Sequence, residues 1–569
     1  MKARAVRKLL FSFAALFAAA QAAGCYSSGD GLAPPPERIY FPVGLAVSSG
    51  GNALYVANSD FDLQWNGGTL QSFNLFRIKR DALKAIENPA DPSLPRVFPN
   101  NGICPDQPAT NRPDGTRTTV GETCAPIVDS TFYFREAATI GAFATDLQIA
   151  AGKRIFVPVR GNASLTWADV AADDPNGTPP EDRNAAFEPF RMNCGVRLDG
   201  NRCARDHEAG SDPNEVGNTR KLTLPGEPFG IALSEDARSI VMTHQTSTRT
   251  SLFSSGLFTD SGVSENPSLQ YIEEDVTEGG NGVASIPHCF AGAAPNSRVC
   301  VPKAPKPSYL QTSRAKAELT LLRYYSDEGG TFASSLRRPF LVKERTFPLA
   351  VNSSGTDSRG IAVDSTARLR CLLNVAPAGG TRTGQDVAND QERCVEIPLR
   401  VFLANRAPAS LVIGEIGGRA AATEGFDSDR LVLQSSVPLS AGPSRVFLAP
   451  IVDKDGRYAL RVFVVCFDAA LVYVYDPETR AVENILRVAP GPFAMAFDPF
   501  TWEDVAQRSV VPVDTRDATG VRRYRFGYLG SFQQSFFQVL DLDNAIERKD
   551  TYQTIVLNVG TPHIPRGVN

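Results

Sequence analysis

Four histidines in 569 residues leave few co-ligands for a structural or catalytic zinc ion. The chain has no Gly-x-x-x-x-Gly-Lys-Ser/Thr phosphate loop, His-Glu-x-x-His pair, Gly-x-Ser-x-Gly elbow or Cys-x-x-Cys-His haem motif, which sets aside the reaction classes those patterns carry. Basic charge is in deficit, with 58 Lys and Arg against 62 Asp and Glu, so no field exists to gather nucleic acid. Beyond the first 25 residues no apolar run approaches the roughly 18 residues needed to cross a bilayer. Long helical stretches are scarce as well. The 46 glycines and 41 prolines, spread along the chain, favour many short strands joined by turns over a helical bundle.

The amino terminus is the exception to this evenness. Lys2, Arg4, Arg7 and Lys8 precede the uncharged run Leu9 to Ala23, the pattern of a secretory signal and too short to remain as a span. The run closes with Ala22-Ala23-Gly24-Cys25, which resembles the lipobox of bacterial lipoproteins, although Ala22 stands where that family usually has Leu. The resemblance implies removal of residues 1–24, acylation of Cys25 with palmitate-type chains, and a cell-envelope address; plain secretion is the alternative. Tyr26, where Asp would be the retention signal in enteric-type bacteria, implies the outer membrane. Without the leader, 54 Lys and Arg face 62 Asp and Glu, a net charge of −8. Residues 25–37, with Pro34-Pro35-Pro36 and no apolar face, read as a flexible tether whose reach is roughly 20 to 35 Å.

Nine cysteines remain after Cys25, and eight of them form sequence-adjacent pairs: Cys104 with Cys124, Cys194 with Cys203, Cys289 with Cys300, and Cys371 with Cys394. Each pair brackets a Pro-, Gly-, Asn- or Asp-rich segment, where a disulfide would restrict a loose loop by a few kcal/mol. Cys466 is left as a free thiol inside an apolar run. No pair has the two-residue spacing of a zinc knuckle.

Self-similarity carries the fold. Phe41-Pro42-Val43-Gly44-Leu45-Ala46-Val47 alternates apolar residues on one face, Gly50, Gly51 and Asn52 suit a tight turn, and Leu54-Tyr55-Val56-Ala57-Asn58 resumes the alternation. Thr69 to Leu75 reads as a third strand. These residues resemble the YVTN β-propeller repeat, and the skeleton recurs at Pro228-Phe229-Gly230-Ile231-Ala232-Leu233, followed by Ser239 to His244. Weaker copies begin near residues 145, 360, 443 and 492. The gap from 257 to 350 holds room for one more blade, with Leu319, Leu321, Leu322 and Tyr324 as a strand. The expectation is an all-β propeller of seven blades, with six or eight as alternatives, formed by residues 38–569 as a single domain with insertions near 76–140, 171–220 and 257–310. The closing run Thr554 to Val559 is expected to pair with Arg38 to Phe41 in a shared blade.

Candidate chemistry is sparse. His244 ends a strand where related repeats carry a polar residue near the hub, and Asp60 and Asp62 follow Asn58 at a strand exit with the hard oxygens calcium prefers. The plain alternatives are a hydrogen-bonded strand-end histidine and solvated loop acids. Tyr524, Phe526 and Tyr528, with Phe532, Phe536 and Phe537, read as blade-packing core. The function expected is a lipid-anchored binding or scaffolding module for a protein, peptide or glycan, needing neither cofactor nor catalytic residue. The rival is an enzyme resembling propeller lactonases or the quinone- or metal-dependent dehydrogenases of the periplasm, with His244 and loop acids holding a metal ion or cofactor at the hub.

Overall fold

The computed structural model describes residues 31–89, 91–95, 125–181, 186–258, 263–291, 298–300, 307–325, 338–349, 357–417, 430–512, 524–545 and 551–560. Its strands form seven antiparallel sheets around one axis. Counting strands a to d outward from the hub, blade 1 is Pro42–Val47, Ala53–Asn58, Gly68–Asn74 and Phe134–Ile140. Blade 2 is Gln148–Ala150, Arg154–Val159 and Ser164–Val170, edged by Glu208–Ala209 and Met192–Asn193. Blade 3 is Pro228–Leu233, Ser239–His244, Thr250–Ser254 and Ser268–Glu273, and blade 4 is Gly280–Ile286, Ser308–Ser313, Glu318–Tyr325 and Phe340–Pro348. Blade 5 is Ser358–Asp364, Leu399–Arg406, Ala409–Ile416 and Leu431–Pro438, and blade 6 is Pro443–Val452, Tyr458–Cys466, Leu471–Asp476 and Ala481–Arg487. Blade 7 is Pro492–Phe497, Phe526–Ser531, Phe536–Asp541 and Ile555–Gly560. The chain is a seven-bladed β-propeller.

Strand alternation explains why so much of it is apolar. Every blade is buried on both faces, so Leu54 and Val56 pack toward blade 7 while Ala53, Tyr55 and Ala57 pack toward blade 2. Blade 6 repeats the arrangement, with Phe463 and Val465 against blade 7 and Val462, Val464 and Cys466 against blade 5. Seven clusters of this kind fill the seven interfaces. Each fully buried Leu, Val, Ile or Phe in them contributes roughly 1.5–3 kcal/mol.

At the hub the a strands press together. A Cβ on Gly360 would lie 2.6 Å from the Cα of Arg445 in the next blade, and one on Gly230 would overlap the carbonyl of Asn281. Six of the a strands also carry a bulge at their start. The bulge takes the Gly230 amide out of the ladder, and the Thr243 hydroxyl receives it at 3.0 Å while donating to Asn281 O of blade 4 at 2.8 Å. Gly282, Thr312 and Arg359 repeat this link between blades 4 and 5, at 2.8 and 2.9 Å.

Closure departs from expectation. Ile555–Gly560 does not pair with residues 38–41; it pairs with Phe536–Asp541, because blade 7 already draws four strands from residues 492–560. The latch comes from the insertion near 76–140. Ile127–Val128 adds to Ile555–Gly560 in parallel, and Asn558 Nδ2 donates to Ala125 O at 3.2 Å. The helix Leu75–Glu87, capped by Asn74 accepting from the Arg77 amide, buries Leu75, Ile78, Ala82 and Ala85 in the interface of blades 7 and 1. Its Lys79 reaches Asp498 at 2.5 Å, both buried, and Asp498 also accepts from Tyr528 OH and the Phe526 amide.

The other insertions also differ in kind from open loops. Residues 171–220 are pinned to the first hairpin, where Asp173 accepts from Ser48 Oγ and from Asn52 N and Nδ2. The stretch 257–310 contains strand d of blade 3 and strand a of blade 4, followed by a hairpin in which Cys289 and Cys300 lie opposite each other in register. Among the described side chains two disulfides are formed, Cys194–Cys203 and Cys371–Cys394. The second joins two helices, Thr366–Leu373 and Gly384–Val395, where a loop was expected. Cys466 is a free, buried cysteine whose thiol burial pushes up to about 12. Residues 1–24, Cys25, Cys104 and Cys124 lie outside the described residues. Within the expected tether, Pro36 O accepts from Gln71 Nε2, as does Arg38 O just beyond it, and Leu32 O accepts from the Asn66 amide. The chain is therefore held against blade 1 from Leu32 onward. No helix among the described residues is long and apolar enough to cross a membrane.

Removing the buried amine of the latch should be costly, because it strands the Asp498 carboxylate in the core. Lys79→Met is expected to lose about 3–5 kcal/mol in chemical denaturation. A loss below about 1 kcal/mol would mean that closure does not depend on this pair.

Candidate functional site

A single backbone hydrogen bond, repeated in all seven blades, defines one end of the hub. The first amide beyond strand b, or at its last residue in blade 5, donates to the carbonyl of the residue preceding strand a, or in blade 2 preceding the isolated bridge of Ala144 with Val159: Ser59 to Phe41, Arg160 to Phe143, Gln245 to Glu227, Arg314 to Gly279, Arg406 to Asp357, Phe467 to Gly442, and Phe532 to Gly491. These bonds make two rings of equivalent positions around the mouth where the a strands begin. The donor ring carries arginine in blades 2, 4 and 5 and phenylalanine in blades 6 and 7.

The acceptor ring carries phenylalanine in blades 1 and 2, an acid in blades 3 and 5, and glycine in blades 4, 6 and 7. Six of its seven members are left-handed, and glycine fills that role at 279, 442 and 491. Phe41, Phe143 and Glu227 adopt it without being glycine, at φ of 46°, 61° and 55°. A bulky side chain held there costs roughly 1–2 kcal/mol. All three project groups used at the mouth.

Phe41, Phe61, Phe143, Phe467, Phe493 and Phe532 form one connected aromatic sector, with ring centroids 5.2–6.3 Å apart across blades 6, 7, 1 and 2. Phe61 is 52% exposed, Leu63 in the same loop is 59% exposed, and Leu32, whose carbonyl accepts from the Asn66 amide, is 70% exposed. Opposite lies a basic sector. Arg160 pairs with Glu227, Arg406 with Asp468, and Arg359 holds Asp357 in a fork at 2.8 and 2.9 Å. Arg314 has only a share of Asp357, at 3.7 Å. Burial, then the charges of Arg359, Arg406 and Arg160, hold the Arg314 guanidinium below its ordinary range against the pull of Asp357.

Arg445 joins the two sectors. It reaches across the hub to Asp146 at 3.0 Å and to Thr145 O at 2.9 Å, with its guanidinium 4.8 Å from the ring of Phe493 and 5.6 Å from that of Phe229. Behind this pair the hub continues as a cavity of about 350 Å³ lined by Leu45, Val47, Ile149, Phe447, Met495 and Phe497 among others.

The sequence candidates are not brought together. His244 lies fully buried in blade 3, sharing hydrogens with Gly226 O at 3.0 Å and Ser251 Oγ at 2.8 Å, and burial pushes it down to about 4. Asp60 is buried in the loop carrying Phe61; Oδ1 accepts from the Trp65 amide at 3.2 Å, Oδ2 makes no hydrogen bond, and burial pushes the carboxyl up to about 7. Asp62 is exposed and accepts from Gln64. Among the described residues no three His, Cys, Asp or Glu are placed to hold a metal ion. Tyr524, Phe526, Tyr528, Phe536 and Phe537 are core, whereas Phe532 belongs to the mouth. Sequence reading missed both sectors. Setting the residues that follow each second strand side by side would have shown the split between arginine and phenylalanine.

No protein-family model matches the chain, and no curated protein matches it. Among solved structures it is similar to a putative 6-phosphogluconolactonase from Bacteroides uniformis, at 12% identity over 79% of this chain and 86% of that one with a TM-score of 0.38. It is also similar to the periplasmic gluconolactonase of Pseudomonas aeruginosa, at 13% identity over 75% and 73% with a TM-score of 0.32, and to the hydrazine synthase of Kuenenia stuttgartiensis, at 8% identity over 88% and 96% with a TM-score of 0.38. Likeness at this level carries nothing about chemistry, which is argued from the mouth itself.

The raised Asp60 carboxyl has a signed consequence. The unfolded chain releases this proton near pH 4 and the native protein near 7, so the contribution of Asp60 to stability falls as pH rises through that window. Asp60→Asn should match the parent near pH 4 and exceed it by on the order of 2 kcal/mol at pH 8. Parallel denaturation curves for the two proteins across that range would refute the burial of an ionisable Asp60.

Proposed function

We propose that this propeller is a binding module of the bacterial cell envelope, tethered by acyl chains on Cys25, that takes its ligand at the hub mouth. The observation that supports a binding role is the composition of the two rings, with arginine at the donor positions of blades 2, 4 and 5 and phenylalanine at the donor positions of blades 6 and 7 and the acceptor positions of blades 1 and 2. Non-glycine residues kept in left-handed backbone at Phe41, Phe143 and Glu227 add weight, since such strain persists where the side chain serves a purpose. An exposed aromatic patch on a folded chain ordinarily marks a contact surface. Protein, peptide and glycan are the partner classes expected from the sequence. The rival enzymatic reading called for His244 at the hub, and His244 is enclosed within blade 3.

Two measurements test the two parts. Replacing Cys25 by Ala should move the protein from the membrane to the soluble fraction without unfolding it; unchanged membrane association would refute the acyl anchor. A photo-crosslinking phenylalanine analogue at position 61 should give a mass-shifted adduct on irradiation in the native envelope, and the same analogue at the exposed rim residue Val432 should not. Equal labelling at both positions, or none at 61, would refute the mouth as the binding surface.

A further inference from the structure

The mouth carries an uneven electrostatic account. Five arginines, 160, 314, 359, 406 and 445, are served by four carboxylates, those of Glu227, Asp357, Asp468 and Asp146. Asp357 is divided between two of them, and the fork goes to Arg359. Arg314 is left at 3.7 Å with a side chain 41% exposed. A guanidinium has five N–H donors, and a carboxylate, sulfonate or phosphate matches two of them at once. Arg314 is thus the one of these five arginines without a close carboxylate of its own, in a position where three neighbouring cations already disfavour its charge.

Apolar surface adjoins this charge at three points. Arg160 lies 5.9 Å from the ring of Phe143, Arg406 pairs with Asp468, the chain neighbour of Phe467, and Arg445 lies between the rings of Phe493 and Phe229.

Resting on the binding role proposed above, we infer that the ligand of the mouth is a small amphipathic organic anion. Its acidic head takes Arg314, with Arg359 and Arg406 alongside, and its aromatic or acyl body lies on Phe467, Phe493, Phe532 and Phe61. Arrival of the anion gives Arg314 a partner of its own and relieves the repulsion among the arginines, while the body covers rings now facing water. Nothing covalent is required. A neutral analogue of the same shape would keep the ring contacts and lose the head.

Calorimetric titration of the full chain with 2-naphthoate and with 2-naphthylmethanol, the same two rings with and without the charge, tests this. Saturable one-site binding of the acid is expected, at least tenfold tighter than the alcohol, which corresponds to about 1.4 kcal/mol or more. Arg314→Gln should weaken the acid about tenfold and leave the alcohol unchanged. Phe61→Ala, in a side chain already half exposed, should weaken both by a similar factor. Thermal melts on each variant separate loss of ligand from loss of fold. Equal affinity for acid and alcohol, or an acid titration indifferent to Arg314→Gln, would overturn the anion while leaving the crosslinking result at position 61 intact. No heat from either compound at concentrations up to about 5 mM would overturn the ligand class altogether.

Discussion

Crowding at the axis governs this molecule. Seven a strands converge until backbone meets backbone, so that Gly230 and Gly360 have no room for a methyl group and the Gly230 amide leaves its ladder to be met by Thr243. The same contact that forbids a side chain supplies a bond, since the Thr243 hydroxyl passes on to Asn281 in the next blade. Blades are thereby tied inward by hydrogen bonds and outward by seven apolar interfaces. Once the ring is that tight, its last joint matters most. It is sealed by a helix and a two-residue strand borrowed from the first insertion, with Lys79 and Asp498 buried at the seam.

Because the blades repeat, the ends of the strands repeat too, and the wheel turns a linear series of unrelated-looking turn residues into concentric rings. Positions 59, 160, 245, 314, 406, 467 and 532 are far apart in sequence and equivalent in space, joined by one kind of backbone bond. Nothing in the packing of a propeller requires phenylalanine or arginine at them. Serine and glutamine occupy two of the seven. The division into an aromatic and a basic arc is consequently a property of the surface, superimposed on a scaffold indifferent to it, and the strained backbone of Phe41 and Phe143 indicates that those rings are held there at a conformational cost.

Of the two readings of His244, the hydrogen-bonded strand-end histidine is the one the structure shows: strand b lies one strand out from the axis, and there a polar side chain is absorbed by its own blade, here by Ser251 and Gly226. Asp60 was judged as a loop acid open to water; the loop folds back under Phe61 and encloses it. Of the aromatics from Tyr524 to Phe537, read as blade-packing core, five are core, and only Phe532, carried by the turn between two strands, goes to the mouth. Insertions were legible as departures from the repeat, but whether one would dangle, cap or latch depends on what its far end meets.

The sequence by itself determined the wheel: period-two apolar alternation, punctuated by Pro-x-Gly strand starts and tight turns, admits few structures besides radial sheets buried on both faces. It also determined which cysteines lie near enough along the chain to bridge short segments. Only the tertiary structure decided how the ring closes and which side chains share its mouth. Both depend on contacts between residues separated by hundreds of positions, such as Asp146 with Arg445 and Ala125 with Asn558, and local pattern holds no record of such distances.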